Sequence, residues 1–291
     1  MKKLLTVILT LSLMATVFTG CSSSNTDTDK KALLTVSFGS SFIDNRTAAI
    51  DATEEVITAA FPDYEHFSAF TSQIIIDVYK DRDNIEYKNV AQQIEAIYKD
   101  GYGEVLVVPT HVINGAEYDE MMAALDGYDE KFAEFNVSTP LLTSAADYET
   151  VASAMASEFP ETDAKTAIVL MGHGTHHHAN SAYGSLDYVF KHNGMENVFV
   201  GTVEGTPTYE DVLGDLQAGG YEKVILMPMM VVAGDHAHND MAGDEEDSWK
   251  VMFKSEGFDV DYVMQGLGEL DAIQQLYVDH AKKALTEEHE G

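Results

Sequence analysis

A stretch of nine residues has a similar counterpart further along the chain. Gly101-Tyr102-Gly103-Glu104-Val105-Leu106-Val107-Val108-Pro109 aligns without a gap on Gly220-Tyr221-Glu222-Lys223-Val224-Ile225-Leu226-Met227-Pro228, and the match continues through Val112/Val231, Gly115/Gly234 and Met122/Met241. These are seven identities in 22 aligned positions, all at an offset of 119. Each copy is an apolar run of strand length closed by proline, which reads as a strand buried on both faces. A chain of 291 residues built around two such strands reads as two copies of one unit.

The surrounding pattern supports this. Apolar runs of strand length fall at 33–38, 66–70, 105–109 and 137–142, and again at 167–171, 197–200, 224–228 and 259–264. Helix-like stretches lie between them, among others at 45–61, 86–100, 146–159, 209–218 and 270–285. Strand–helix alternation with continuously apolar strands predicts an α/β fold whose parallel sheets are covered on both faces. Two pseudo-symmetric lobes follow, over 31–144 and 145–291. Open parallel sheets take ligands at the carboxyl ends of their strands, so the cleft between the lobes is the expected site.

Charge narrows the partners. Seventeen Lys and Arg stand against 49 Asp and Glu, a formal charge of −32. A polyanion such as nucleic acid is repelled by that surface, and so is an anionic bilayer. At 45% hydrophobic residues the chain is too apolar for a disordered acidic tail. The single cysteine excludes intramolecular disulfides and cysteine-rich metal sites.

The N-terminus reads as an address. Lys2 and Lys3 precede an apolar run over 4–18, too short to span a bilayer comfortably. Val17-Phe18-Thr19-Gly20-Cys21 resembles a lipobox, with Phe18 a departure from the usual pattern. The expectation is a signal peptide over 1–20, lipidation at Cys21 and a polar tether over 21–30. The product is an exported, membrane-anchored lipoprotein of the cell envelope or periplasm.

Candidate chemistry gathers directly after predicted strands. The first cluster is Met171-Gly172-His173-Gly174-Thr175-His176-His177-His178-Ala179-Asn180, with glycines flanking His173. The second is Val232-Ala233-Gly234-Asp235-His236-Ala237-His238-Asn239-Asp240. Gly201-Thr202-Val203-Glu204-Gly205-Thr206-Pro207 lies between them in sequence. Two imidazoles and one carboxylate with open positions suit a divalent first-row metal, so His173, His236 and Glu204 are candidate ligands. The run 176–178 also reads as the surface entry to a helix, and 244–247 as an acidic helix start. His236-Ala237-His238-Asn239-Asp240 has the outline of a metallo-hydrolase motif, but Met241 stands where its next histidine belongs. No Gly-Lys-Ser/Thr follows either glycine turn, so neither is a P-loop.

Four motifs carry a family resemblance: Val-Ser-Phe-Gly-Ser-Ser at 36–41, His-Val-Ile-Asn-Gly-Ala-Glu-Tyr at 111–118, Gly-His-Gly-Thr-His-His-His-Ala-Asn-Ser-Ala-Tyr at 172–183 and Val-Ala-Gly-Asp-His-Ala-His-Asn-Asp-Met at 232–241. In these the chain resembles the anaerobic sirohydrochlorin cobaltochelatases, class II chelatases related in fold to ferrochelatase. The resemblance spans essentially the whole mature body. It implies two Rossmann- or flavodoxin-like lobes in the chelatase arrangement. It also implies that His173 and His236 face each other across the cleft, with Glu117 and Glu204 as acidic partners. The lipobox departs from the many relatives that act in the cytoplasm.

The expected reaction inserts a divalent metal, Co²⁺ first and Fe²⁺ or Ni²⁺ as alternatives, into sirohydrochlorin or a related tetrapyrrole. The metal is a substrate, and no organic cofactor is expected. His173 and His236 would hold the ion and accept the two inner N–H protons. Glu204 would complete coordination, and Glu117 would remove protons or steer the ion. Glu117 occupies in the first repeat the position of His236 in the second. Arg46 is the expected carboxylate clamp, one of only two arginines with Arg82. Tyr118 and Tyr183 are expected to stack on the ring, and Met230 to pack against it or within the core. The alternative is a non-catalytic envelope lipoprotein that binds metal, haem or another tetrapyrrole and passes it to a transporter. A homo-oligomer is compatible with either.

Overall fold

The computed structural model describes residues 27–286, and among them eight strands form two sheets. The expected signal peptide, Cys21 and the expected tether up to residue 26 lie outside the described residues. In the first half β1 (Asp27–Ser37) leads through α1 (Ile43–Arg46), a π-type turn (Thr47–Asp51) and α2 (Ala52–Ala60) to β2 (Glu65–Phe70). Next, α3 (Gln73–Asp83) and α4 (Val90–Lys99) precede β3 (Tyr102–Pro109), and α5 (Ala116–Leu125) precedes β4 (Glu134–Val137) and α6 (Ala145–Ser157). The second half runs β5 (Thr166–Gly172), α7 (Ser181–His192), β6 (Val198–Thr202), α8 (Tyr209–Gly219) and β7 (Lys223–Pro228). A π-type turn (Ala237–Met241), α9 (Trp249–Ser255), β8 (Asp259–Tyr262) and α10 (Asp271–Ala284) complete it.

The sheets have orders β2-β1-β3-β4 and β6-β5-β7-β8, and every pairing is parallel. The duplication is therefore topological as well as sequential. Its register is specific: Val36 pairs with Pro109 in one sheet, and Met171 with Pro228 in the other. Because Pro109 and Pro228 are equivalent at the offset of 119, Val36 and Met171 are equivalent too. The loops that follow, 37–41 and 172–176, are thus counterparts.

Side-chain alternation assigns the layers. Leu33, Leu106, Ile168 and Leu170 point into one cluster that joins the two sheets. Ala32, Leu34, Val36, Val105 and Val107 face Ile94, Ile97 and Met121 on the far side of the first sheet. Ala167, Val169 and Met171 face Trp249 and Phe253 on the far side of the second.

The helix after each fourth strand reaches toward the other lobe. The last helix, α10, packs on α2, β3 and β4, while α6 packs on α7 and α10. The Tyr277 hydroxyl donates to the Thr110 carbonyl at 2.9 Å. His280 lies with Nε2 3.0 Å from Asp147 and Nδ1 3.2 Å from the Thr139 carbonyl.

Local chemistry explains the boundaries. Ser144 and Asp147 form a reciprocal capping box at the start of α6, as do Thr208 and Asp211 at α8. The strand expected at 137–142 ends at Val137. Beyond it Leu141 and Leu142 donate instead to the carbonyls of His111 and Val112, so their burial reflects that loop contact. β1 begins at Asp27, which pairs with Tyr102, so the last four residues of the expected tether are strand.

Candidate active site

A cavity of about 460 Å³ opens between the lobes, at the carboxyl ends of the strands. That volume falls in the range of small-molecule sites. The loops after β1, β3, β5 and β7 contribute to its lining. His173, His236, Glu117 and Tyr183 all line it.

His173 and His236 are immediate neighbours. Their ring centroids are 4.6 Å apart, edge to face at 89°. Both come from the second sheet, at the ends of β5 and β7, so they form one wall of the cavity. The expectation that they oppose each other across the cleft is corrected: β5 and β7 are adjacent strands, which brings their loops side by side. Glu117, at the start of α5, is the carboxylate that lines the cavity from the first lobe.

Each imidazole has one nitrogen committed. Nδ1 of His173 lies 2.8 Å from the Gly174 carbonyl, and Nδ1 of His236 lies 2.6 Å from the Asp240 carboxylate. A carbonyl and a carboxylate only accept, so both Nδ1 atoms carry hydrogen and both Nε2 atoms keep the lone pair in the neutral ring. That is the tautomer a metal ligand or proton acceptor requires.

The backbone sustains this arrangement. Gly174 has φ +79°, and a Cβ there would sit 2.5 Å from the Gly205 nitrogen, so only glycine fits. The Glu204 N–H donates to the His173 carbonyl at 2.8 Å, tying the loop after β6 to the loop after β5. Asp240 stands four residues after His236, within the π-type turn that follows the histidine, a spacing that puts the two side chains on one face.

Tyr183 is buried against Gly172, where a Cβ would fall 2.3 Å from its ring. Burial pushes its phenol up to about 12.

Three expected site residues are placed elsewhere. Glu204 is exposed and does not line the cavity; its link to the site is the backbone bond just described. No group of three or more His, Cys, Asp or Glu able to hold a metal occurs among the described residues, so the two-imidazole, one-carboxylate set is not assembled. Arg46 donates to Tyr87 at 2.6 Å and to Asp51 at 3.1 Å and is absent from the cavity lining, so the clamp role is not supported by its position. Tyr118 lines a separate hollow of about 830 Å³ with Met122, Phe135 and Val137, on the outer side of the first sheet. Met230 does line the cavity.

Two residues that stand in the sequence motifs without an assigned role belong to the site. Asp240 orients His236, and its spacing of four from that histidine is the signal that finds it. His111 lines the cavity, yet both its ring nitrogens are shielded from solvent and lack a hydrogen-bond partner among the described residues. Burial lowers its pKa to about 4, so it is neutral near physiological pH. Histidines also knit the cavity rim. His177 reaches Asp119 of α5 at 3.2 Å, and His238 stacks on Phe42 with centroids 4.7 Å apart.

Two four-stranded parallel sheets with paired imidazoles in the interlobe cavity define a chelatase-type α/β protein. The structure of SirB from Bacillus subtilis with Fe³⁺ superposes with a TM-score of 0.60 at 15% identity, over 88% of this chain and 96% of that one. DR2241 from Deinococcus radiodurans, described as structurally similar to chelatases, gives 0.55 at 15% identity, over 90% of this chain and 57% of its own. In sequence, the chain is 38% identical to the sirohydrochlorin cobaltochelatase of Salmonella typhimurium, over 88% of this chain and 97% of the relative. It is 32% identical to the sirohydrochlorin cobaltochelatase CbiKC of Nitratidesulfovibrio vulgaris, over 88% and 91%. The cobalt chelatase (CbiK) family model matches residues 31–286, and the chain belongs to that family.

Proposed function

We propose that the protein inserts Co²⁺ into sirohydrochlorin, with His173 and His236 as metal ligands and proton acceptors. The observation that carries this reading is the pair of adjacent imidazoles, each with Nδ1 engaged and Nε2 free, on the wall of a cavity in a cobalt chelatase. The free macrocycle carries two inner N–H protons, and both leave as the ion enters. As the ion forms bonds to the ring nitrogens its bonds to Nε2 of His173 and His236 break, the macrocycle N–H bonds break, and the two protons pass to the vacated Nε2 atoms or to Glu117. No electron is transferred.

Two imidazoles without a third protein ligand hold a cation loosely, as delivery demands; a closed four-ligand cage would retain it. Imidazole suits Fe²⁺ and Ni²⁺ as well, so metal choice rests on supply as much as on the site. Glu117 approaches from the first lobe and serves proton removal or ion steering. His173, His236 and Glu117 converging on one cavity favours an enzyme over a passive carrier.

The test is absorbance of sirohydrochlorin mixed with Co²⁺ and protein. Conversion above the uncatalysed rate is expected, with His173→Ala and His236→Ala each lowering it about 10²–10⁴-fold. Unchanged rates in both variants overturn the assignment. We also propose that the domain is exported and anchored through Cys21, on the charged N-terminus, short apolar run and small residues before that cysteine. Incorporation of labelled palmitate that is lost in Cys21→Ser tests this.

A further inference from the structure

The two halves differ by one helix. Capping boxes at Asn89–Gln92 and Thr208–Asp211 open α4 and α8 at the same offset of 119 that relates the strands, so these helices are counterparts. Six residues, 203–208, separate β6 from α8, whereas nineteen, 71–89, separate β2 from α4. The surplus is α3, which the second half lacks. Its residues Ile74, Ile75 and Val78 line the cavity, and Ile74 is 75% exposed there. A helix that the duplication did not supply therefore forms part of the cavity wall.

The same face of α3 carries Arg82, four residues beyond Val78. Its Nη1 donates to the Ser41 carbonyl at 2.9 Å, and Ser41 lines the cavity. Tyr79 donates to the Ser40 carbonyl at 2.8 Å, so two successive carbonyls of the loop after β1 are bound to this helix. Asp83 takes one N–H from Nε and one from Nη2, both on Oδ2. A guanidinium carries five N–H donors, and this side chain keeps 42% of its surface in solvent, so donors remain for a further carboxylate. Arg46, by contrast, is turned to Asp51 and Tyr87 and is only 16% exposed. Among the described residues no Lys or Arg stands in the cavity wall itself. Arg82 is the arginine bonded directly to that wall, at its edge.

We propose that Arg82 is the substrate clamp of the cavity: it holds a peripheral carboxylate of the macrocycle through its remaining N–H donors, while Ile74, Ile75 and Val78 support the ring. This rests on the reading of the cavity as the tetrapyrrole site. Sirohydrochlorin is a flat ring edged by eight carboxylates, and an apolar helix face that ends in a guanidinium matches it in both respects. Arginine meets a carboxylate with parallel N–H groups, which fixes direction as well as charge. The macrocycle is thereby oriented with one acid edge at α3 and its ring in the cavity that His173 and His236 line. Asp83 steadies the guanidinium and competes for it. No bond to the reacting nitrogens is involved, so the contact acts on KM and not on kcat.

The experiment titrates the full chain with metal-free uroporphyrin, an octacarboxylate, read by porphyrin fluorescence, and follows cobalt insertion into sirohydrochlorin by absorbance. Arg82→Gln is expected to weaken uroporphyrin about three- to thirtyfold and to raise KM for sirohydrochlorin in step, with kcat within about twofold of wild type. Arg82→Lys keeps the charge without the fork and should lie between the two. Two further variants separate a clamp from helix packing. Lys80→Gln removes the same charge from a position of α3 that does not share the face of Arg82, and should leave binding within about twofold. Asp83→Asn breaks the same ion pair but frees the guanidinium, so uroporphyrin should bind at least as tightly as to wild type, whereas a purely structural pair would weaken both variants alike. Unchanged binding in Arg82→Gln, an equal loss in Lys80→Gln, a matching loss in Asp83→Asn, or an effect confined to kcat overturns the proposal. Wild-type protein that binds no uroporphyrin and converts no sirohydrochlorin overturns the tetrapyrrole reading itself, which separates the two failures.

Discussion

The carboxylate of Asp240 lies 2.6 Å from Nδ1 of His236, one turn further along the chain. The contact holds the ring orientation and leaves Nε2 as the working atom. Asp240→Ala is expected to lower cobalt insertion about 10- to 100-fold, the usual effect of losing such a partner. Asp240→Asn keeps an acceptor oxygen and should fall between Ala and wild type. Steady-state insertion rates of the three proteins check the order; equal rates would remove Asp240 from the mechanism.

His111 predicts an acid-sensitive fold. Its pKa is depressed by burial to about 4 from an ordinary value near 6.5, so as pH falls the unfolded chain takes the proton first. Stability from this group is complete above about pH 6.5 and is lost progressively down to about pH 4, by about 3 kcal/mol at most. His111→Met installs the residue of the equivalent position, Met230. Its urea-unfolding free energy should change less than that of wild type between pH 7 and 4.5.

Glu54 predicts the opposite slope. It is largely buried, and desolvation raises its carboxyl to about 7 despite the hydrogen bond donated by Thr35 at 2.8 Å. A raised carboxyl stabilises the fold below the unfolded value near 4.5, and this contribution fades as pH rises through about 7. Glu54→Gln keeps an acceptor for Thr35 without the charge. It should gain about 1–3 kcal/mol over wild type at pH 8 and little at pH 5, read from denaturant midpoints.

Asp147 and His280 fasten α10 to the segment entering α6. Burial alone would raise the Asp147 carboxyl, but the Ser144 backbone N–H and His280 outweigh it and hold the group low. Removing His280 leaves the Asp147 carboxylate with the Thr143 and Ser144 backbone N–H groups but without its side-chain partner. His280→Ala is therefore expected to cost about 1–3 kcal/mol, against a smaller loss for the double variant with Asp147→Ala than the two singles sum to. Thermal unfolding of all four proteins measures the coupling, and strict additivity would dismiss it.

The architecture was legible because its signals are local and repeated. The apolar runs at 105–109 and 224–228 announce buried parallel strands, and their spacing announces the duplication. His173 and His236 stand in loops directly after strands, where parallel sheets present ligands. What sequence could not supply was neighbourhood. Which loops abut depends on strand order, so the histidines were expected across the cleft and stand side by side. Arg46 follows the right loop, but Asp51 and Tyr87 claim its guanidinium from positions 5 and 41 residues away. Tyr118 adjoins Glu117 in sequence, yet successive helical positions diverge, which sends it to the outer side of the sheet. His111 opens the motif at 111–118, but nothing in that motif shows that its ring nitrogens lack partners; this emerges only when the walls close around it.

The reciprocal reach of α6 and α10 sets an order on biosynthesis. The first lobe's inner surface stays bare until the final stretch of chain leaves the ribosome, because the helix that covers it is the last one made. A nascent product ending near residue 265 would display the part of that apolar face that α10 covers, open to chaperones and to other nascent chains.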